Sequence, residues 1–226
     1  MSANTGVIIV VIIILIFTLT GIILLSWWST RKIGRMIATK KNKWESIFSR
    51  NVKLMKGGRV VRSSKNKRLK YLIKSHERIV EYHYEYRRDE PYRVFITVYL
   101  KKEIPSRDIF VYPRNLHVLM RPTGGLKKEL SGESDFDKGY IIGSKGKKEI
   151  VLGLINRDAR NRIFRTHGTF DTNNLAVMFI IWLRRDRISL FKYEVMTDVR
   201  EIEKNIALMG ELAELMERNI DMVKLL

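Results

Sequence analysis

Three groups of residues in this chain have types and spacing that could do chemistry. Glu133, Asp135 and Asp137 alternate along a short acidic stretch, as the ligands of a calcium loop or of a metal-assisted transferase would. In a helix-loop-helix calcium loop beginning at Glu133, glycine belongs at position 138 and a bidentate glutamate at 144. Lys138 and Ser144 stand there instead, so a solvated acidic turn is the better expectation. Glu81, His83 and Glu85 project from one face of a predicted strand, but the histidines at 76, 83, 117 and 167 form no spaced cluster. Cross-strand pairing with Lys or Arg is expected of them rather than metal ligation. The third group is the basic loop Gly143-Ser144-Lys145-Gly146-Lys147. A phosphate-cradling loop would need a glycine five residues before Gly146 and a Ser or Thr after Lys147, and it has neither. No nucleophile elbow, zinc-binding His-Glu-x-x-His or dinucleotide fingerprint occurs, and no cysteine is available for a disulfide or a thiolate-held metal. The expectation is therefore no catalytic residue, no metal and no cofactor, with any enzymatic activity left open.

The elements that must carry these groups read as α+β. Lys67 to Ile73, Ile79 to Tyr86 and Tyr92 to Leu100 are rich in β-branched and aromatic residues. In the second, Val80, Tyr82, Tyr84 and Tyr86 share one face while Glu81, His83, Glu85 and Arg87 share the other. Val94, Ile96, Val98 and Leu100 form an apolar face in the third, and Ile109 to Tyr112 adds a short strand. These predict an antiparallel meander. Val52–Met55 and Arg59–Val61 read as a hairpin about Gly57-Gly58, and Gly139–Ile142 and Glu149–Leu152 as another about residues 143–146. Asp158 to Phe164 reads as a short helix, and the apolar run from Leu175 to Leu183 is undecided between strand and helix.

The last element is a long helix. Asp198 can cap it, with Glu201 as the capping-box partner. Val199, Ile202, Ile206, Met209, Ala213, Met216, Ile220 and Val223 then follow at alternating spacings of three and four. Such a seam could pack on the domain's own sheet or join two copies of the chain. Leu208, Leu212 and Leu215 widen it, which favours the sheet. Ile202, Ile206, Met209, Ala213 and Met216 are its central residues in either case.

The N-terminal part differs in composition. Residues 1–30 carry no charged side chain, and residues 31–74 carry sixteen Lys or Arg against one acid, Glu45. Residues 31–74 therefore hold +15 of the net charge of +19. Val7 to Leu25 is almost wholly aliphatic, and the stretch 7–28 is long enough for a transmembrane signal-anchor helix, with Trp27 and Trp28 at the membrane interface. Arg31, Lys32, Arg35, Lys40, Lys41 and Lys43 follow it directly, which predicts a cytoplasmic C-terminal side. The organisation expected is a short exterior N-terminus (1–6), the anchor (7–28), a basic juxtamembrane connector (29–50) and a cytoplasmic α+β domain (51–226). That organisation predicts a single-pass protein of the cell membrane. Trp44, Ile47 and Phe48 lie among the bases at helical spacing, as an interfacial amphipathic turn requires.

Phe136-Asp137-Lys138-Gly139-Tyr140-Ile141-Ile142, then Leu152-Gly153-Leu154-Ile155, then Arg157, Ala159, Arg160 and Ile163 form a pattern. It resembles that of uncharacterised prokaryotic single-pass membrane-anchored proteins with a β-rich domain of unknown function. The resemblance implies an N-terminal anchor, a β-rich domain and a C-terminal helix, and carries over no activity. Ile141 to Ile150 also resembles the Gly-x-x-Gly loop of K-homology RNA-binding domains, but that loop joins two helices, whereas a basic hairpin tip is expected here. The function these features predict is a membrane-tethered, non-enzymatic module presenting a protein-binding or anionic-lipid-facing surface. Its expected partners are anionic lipid headgroups, and a second copy or another membrane protein. Nucleic-acid binding and an enzyme with an unrecognised site are the alternatives, the first disfavoured because residues 75–226 are nearly balanced in charge.

Overall fold

The structure is a computed structural model that describes residues 18–31, 43, 45–63, 69–87, 90–106, 108–116, 126–168, 179–192, 196 and 198–224. The chain divides into two units, Met1–Ile47 and Phe48–Leu226.

In the first unit, residues 18–31 form a helix (α1), and 45–47 are helical too. Thr30 Oγ1 turns back to the carbonyls of Ser26 and Trp27, at 2.7 and 3.0 Å. The expected spanning helix is corrected here. Among the described residues no helix is long and apolar enough to cross a membrane. The 14 residues of α1 amount to about 21 Å of helix, short of the ~30 Å of a hydrocarbon core. Residues 7–17 of the expected anchor lie outside the described residues. The single-pass placement in the cell membrane, with the N-terminus outside and 51–226 cytoplasmic, is overturned with the helix on which it rested.

The second unit is α+β. Its helices among the described residues are 48–54 (α2), Ser134–Gly139 (α3), Lys148–Leu154 (α4), Arg157–His167 (α5) and Val199–Val223 (α6), with a 3-10 turn at Arg114–Leu116. The strands are Gly58–Arg62 (β1), Leu69–Ser75 (β2), Arg78–Arg87 (β3), Glu90–Tyr99 (β4), Ile109–Pro113 (β5), Lys127–Glu129 (β6), Tyr140–Ser144 (β7), Phe179–Arg184 (β8) and Arg187–Lys192 (β9). They form one sheet in the order β1-β2-β3-β4-β9-β8-β5-β7-β6. All of its pairings are antiparallel.

A single row of side chains runs through this register from edge to edge. Val60 faces Tyr71, which faces Tyr82, and the row continues through Ile96, Leu190, Ile181, Val111 and Ile142 to Glu129. Tyr71 to Ile142 are all buried, because period-two alternation sends them to the face that α6 covers. Helix α6 lies on β2, β3, β4 and β9 and also meets α4 and α5. Its capping residue is Asp198, which accepts from Arg200 N at 2.9 Å. Glu201 does not close a capping box: its carboxylate pairs with Lys192 Nζ at 2.5 Å, fixing the start of α6 to β9.

Two local readings are corrected. Val52–Met55 is not a strand but the end of α2 and the turn after it, because Phe48, Val52 and Met55 step round a helix into the core. Phe48 stacks on Tyr82 with centroids 5.4 Å apart, and Asn51 Nδ2 donates to Met196 O at 3.0 Å. Gly57 then turns the chain at φ 83°, and Gly58 lies so close to Tyr71 that a Cβ there would fall 2.3 Å from its ring. Glu149–Leu152 is likewise helical, within α4, so residues 145–147 join a strand to a helix rather than two strands.

Candidate functional site

The chemistry-bearing side chains singled out by sequence are drawn into separate pairs. On the sheet face away from α6, Glu81 meets Lys70 Nζ at 2.8 Å and His83 Nδ1 at 3.0 Å, while the His83 ring stacks on Phe95 at 5.2 Å. Burial alone would raise the Glu81 carboxyl, but hydrogen bonds from His83 and Lys70 and their charges outweigh it and hold it at about 2. That is a carboxylate committed to its neighbours, not one poised to take a proton near neutrality.

The acidic stretch is a local brace. Asp137 accepts from the backbone N–H of Ser131 at 3.0 Å and of Gly132 at 3.1 Å. Glu133 binds Arg160 Nη2 at 2.8 Å, and that hydrogen bond, against a smaller burial effect, lowers its pKa. Arg114 donates to the Asp137 carbonyl, so the loop is tied to α5 and to the 3-10 turn. Asp135 faces solvent beside Lys138 at 3.7 Å. Among the described residues no group of three His, Asp or Glu could hold a metal ion.

The basic loop places Lys145, Lys147 and Lys148 outward, while Ser144 is buried. Gly146 packs so tightly on Ser106 that a Cβ would lie 2.2 Å from its hydroxyl. A recess of about 370 Å³ is lined by Glu103, Ile104, Pro105, Arg185 and Lys224. The Glu103 and Arg185 charges there neutralise one another at 2.5 Å.

Of the residues expected at the membrane, Trp27 and Trp28 are exposed, and the Arg31 guanidinium lies 4.2 Å from the Trp27 ring centroid. Lys43 is exposed and helical, while Lys32, Arg35, Lys40, Lys41 and Trp44 lie outside the described residues. In the C-terminal helix Ile202, Ile206, Met209, Ala213 and Met216 are all buried, in the same core as the central sheet row.

Sequence spacing had not marked His167. At the end of α5 its ring stacks on Phe179 with centroids 3.8 Å apart. Burial first, then the positive charges of Lys204 on α6 and Lys192 on β9, push its pKa down to about 3. An unfolded chain takes up this proton below about 6.5, whereas the folded chain refuses it until about 3. Stability therefore falls as pH drops below about 6.5, by roughly 2 kcal/mol between pH 6.5 and 5. The Glu81 contribution is present above its ordinary value of 4.5 and is lost as pH falls toward 2. In urea melts, His167→Leu is expected to move the onset of acid destabilisation from about pH 6.5 to about 4.5. An unchanged profile would show that His167 protonates freely in the fold.

The feature with room for a partner is a sheet edge. Strand β1 is outermost, and among the described residues no strand pairs with its outer side. Gly58, Arg59, Val60 and Arg62 are exposed, with Val61 half-buried. Val60 retains 49% exposure although it ends the row that is buried from Tyr71 onward. Leu54, at the end of α2, is also exposed, at 61%, and the adjoining Met55 carbonyl accepts from Tyr71 OH at 3.2 Å. No acid occurs between Glu45 and Glu77, while ten Lys or Arg do. No family model, no curated protein and no solved structure matches the chain.

Proposed function

We propose that the chain is a non-enzymatic binding module whose ligand is another protein. The observation that carries this is β1, an exposed, basic edge strand at which the sheet's buried apolar row stops short. Backbone N–H and C=O groups on the free side of such a strand are satisfied by water or by another chain, and strand addition is a common way for proteins to use them. The rest of the unit serves as a rigid support, with α2 and α6 fixing β2 and β3 from one side. The acidic groups singled out are spent in ion pairs, Glu81 on Lys70, Glu133 on Arg160 and Glu103 on Arg185.

Affinity capture with the full chain after nuclease treatment, then reconstitution from purified components, tests the proposal. One captured protein is expected to rebind the purified chain in one-to-one proportion with micromolar or tighter affinity, about −8 kcal/mol. Retention of nucleic acid as the sole ligand, or turnover of a small substrate, would overturn it.

A further inference from the structure

Resting on that reading, we propose that the partner is recognised as an acidic, extended segment that adds to β1 as a tenth strand. Register and charge specify the segment. Val60 points to the helix-covered face with Tyr71 as its inner neighbour, so an apolar side chain opposite Val60 would carry the buried row one strand further. Arg62 shares that face two residues on, whereas Arg59 points to the other face. Carboxylates placed beside Arg59 and Arg62, flanking the apolar residue, meet a cation on each face of the edge. Lys74 on β2, exposed on the same face as Arg59, extends the positive field inward, while Lys70 is spent on Glu81 at 2.8 Å. The sequence carries no carboxylate of its own between residues 46 and 76.

Basic side chains on an edge strand also serve simply to keep edges apart. The two roles differ in what they do with an acidic strand: a blocking edge repels cationic or neutral strands but gains no ladder from an anionic one. A nonspecific basic patch, in turn, binds any polyanion regardless of its backbone. The ladder is what separates the proposal from both.

The test uses the purified full chain and an end-blocked nine-residue probe, Thr-Val-Glu-Thr-Val-Glu-Thr-Val-Thr, whose two Glu fall opposite Arg62 and Arg59 when its central Val pairs antiparallel with Val60. Three controls accompany it: the same peptide with Pro for the central Val, a version with Lys for Glu, and an oligothymidylate of equal charge. Fluorescence anisotropy is expected to show the acidic probe binding at least tenfold more tightly than the proline peptide, because proline removes a ladder donor. The lysine peptide should show no binding. Amide hydrogen exchange should slow across 58–62 on addition of the acidic probe. Arg59→Glu with Arg62→Glu should weaken it about tenfold or more. This double change lies on exposed positions, and the peptide controls do not depend on its folding. Equal binding of the proline peptide or the oligothymidylate would overturn strand addition in favour of a polyanion patch. Binding of a purified protein partner with no slowing at 58–62 would also overturn it while leaving the protein-binding function standing. Failure of the chain to bind any protein would remove both.

Discussion

Replacing Ile206 and Met209 together with aspartate is expected to unfold the second unit. Both side chains are within 3% of complete burial and belong to the core that α6 forms with β2, β3, β4 and β9. Losing their apolar burial costs about 1.5–3 kcal/mol for each side chain. Placing an unpaired carboxylate in the same space costs several kcal/mol more, or forces each to take up a proton. Together these exceed much of the 5–15 kcal/mol that holds a typical domain. Circular dichroism should show loss of the cooperative melt, and sedimentation an expanded or aggregated species rather than a smaller one. A variant that melts normally but sediments at half the original mass would instead mean that this seam joins two copies. That alternative is open from sequence because a 3-4 repeat has the same period whether its partner is a sheet or a twin helix.

What the sequence made legible was local and periodic. Alternation in Val80–Tyr84 and Val94–Leu100 placed the right residues on the buried face, and Asp198 marked the start of α6. The strand order was another matter. β4 pairs with β9 and β5 with β8, segments some 70 to 100 positions apart in the sequence, and no local pattern encodes such partners. Strand β9, Arg187–Lys192, escaped notice, because five of its six residues are buried and no alternation shows. The run Glu149–Leu152 was misread because Ile150 and Val151 favour strands in isolation. Tertiary packing overrides that preference: Val151, Leu154 and Ile155 are fully buried from one helical face, and Gly153 lies where a Cβ would come 2.6 Å from Val223 Cγ2 on α6. The glycine fits a close helix crossing, a need that a single sequence does not announce.

The candidate edge was hidden for a related reason. Gly57-Gly58 looked like the turn of a hairpin, which would have made residues 59–61 the partner of 52–55. In the fold Gly57 ends the α2 connection, and β1 finds its partner on the far side, in β2. Only then does Val60 stand at a margin rather than inside a ribbon. The aliphatic run beginning at Val7 invited an anchor on hydropathy alone. Among the described residues α1 does not reach the length that such an anchor requires.

The second large effect concerns Glu217, a buried residue of α6 that lies outside the 3-4 seam. Its carboxylate accepts from Arg78 Nη2 at 2.5 Å, from Arg78 Nε at 3.4 Å and from the Lys101 backbone N–H at 2.5 Å. Arg78 spends another donor on the His76 carbonyl at 2.8 Å, within the tight turn where His76 and Glu77 both have positive φ. One buried pair thus ties the β2–β3 turn and the end of β4 to the last third of α6, with side chains only 8% and 10% exposed. Glu217→Ala should cost about 3–5 kcal/mol, because it leaves the guanidinium buried without its counter-charge and strands the Lys101 N–H. Pairing Glu217→Leu with Arg78→Met should recover most of that loss, since an apolar pair of similar volume avoids desolvating two charges. Urea melts of the two single variants and the double variant give the coupling directly. Equal destabilisation by the double variant and the sum of the singles would show that the pair contributes little as a pair. The hairpin turn would then be held to α6 by packing at Gly210, where a Cβ would come 2.6 Å from Ser75 Oγ.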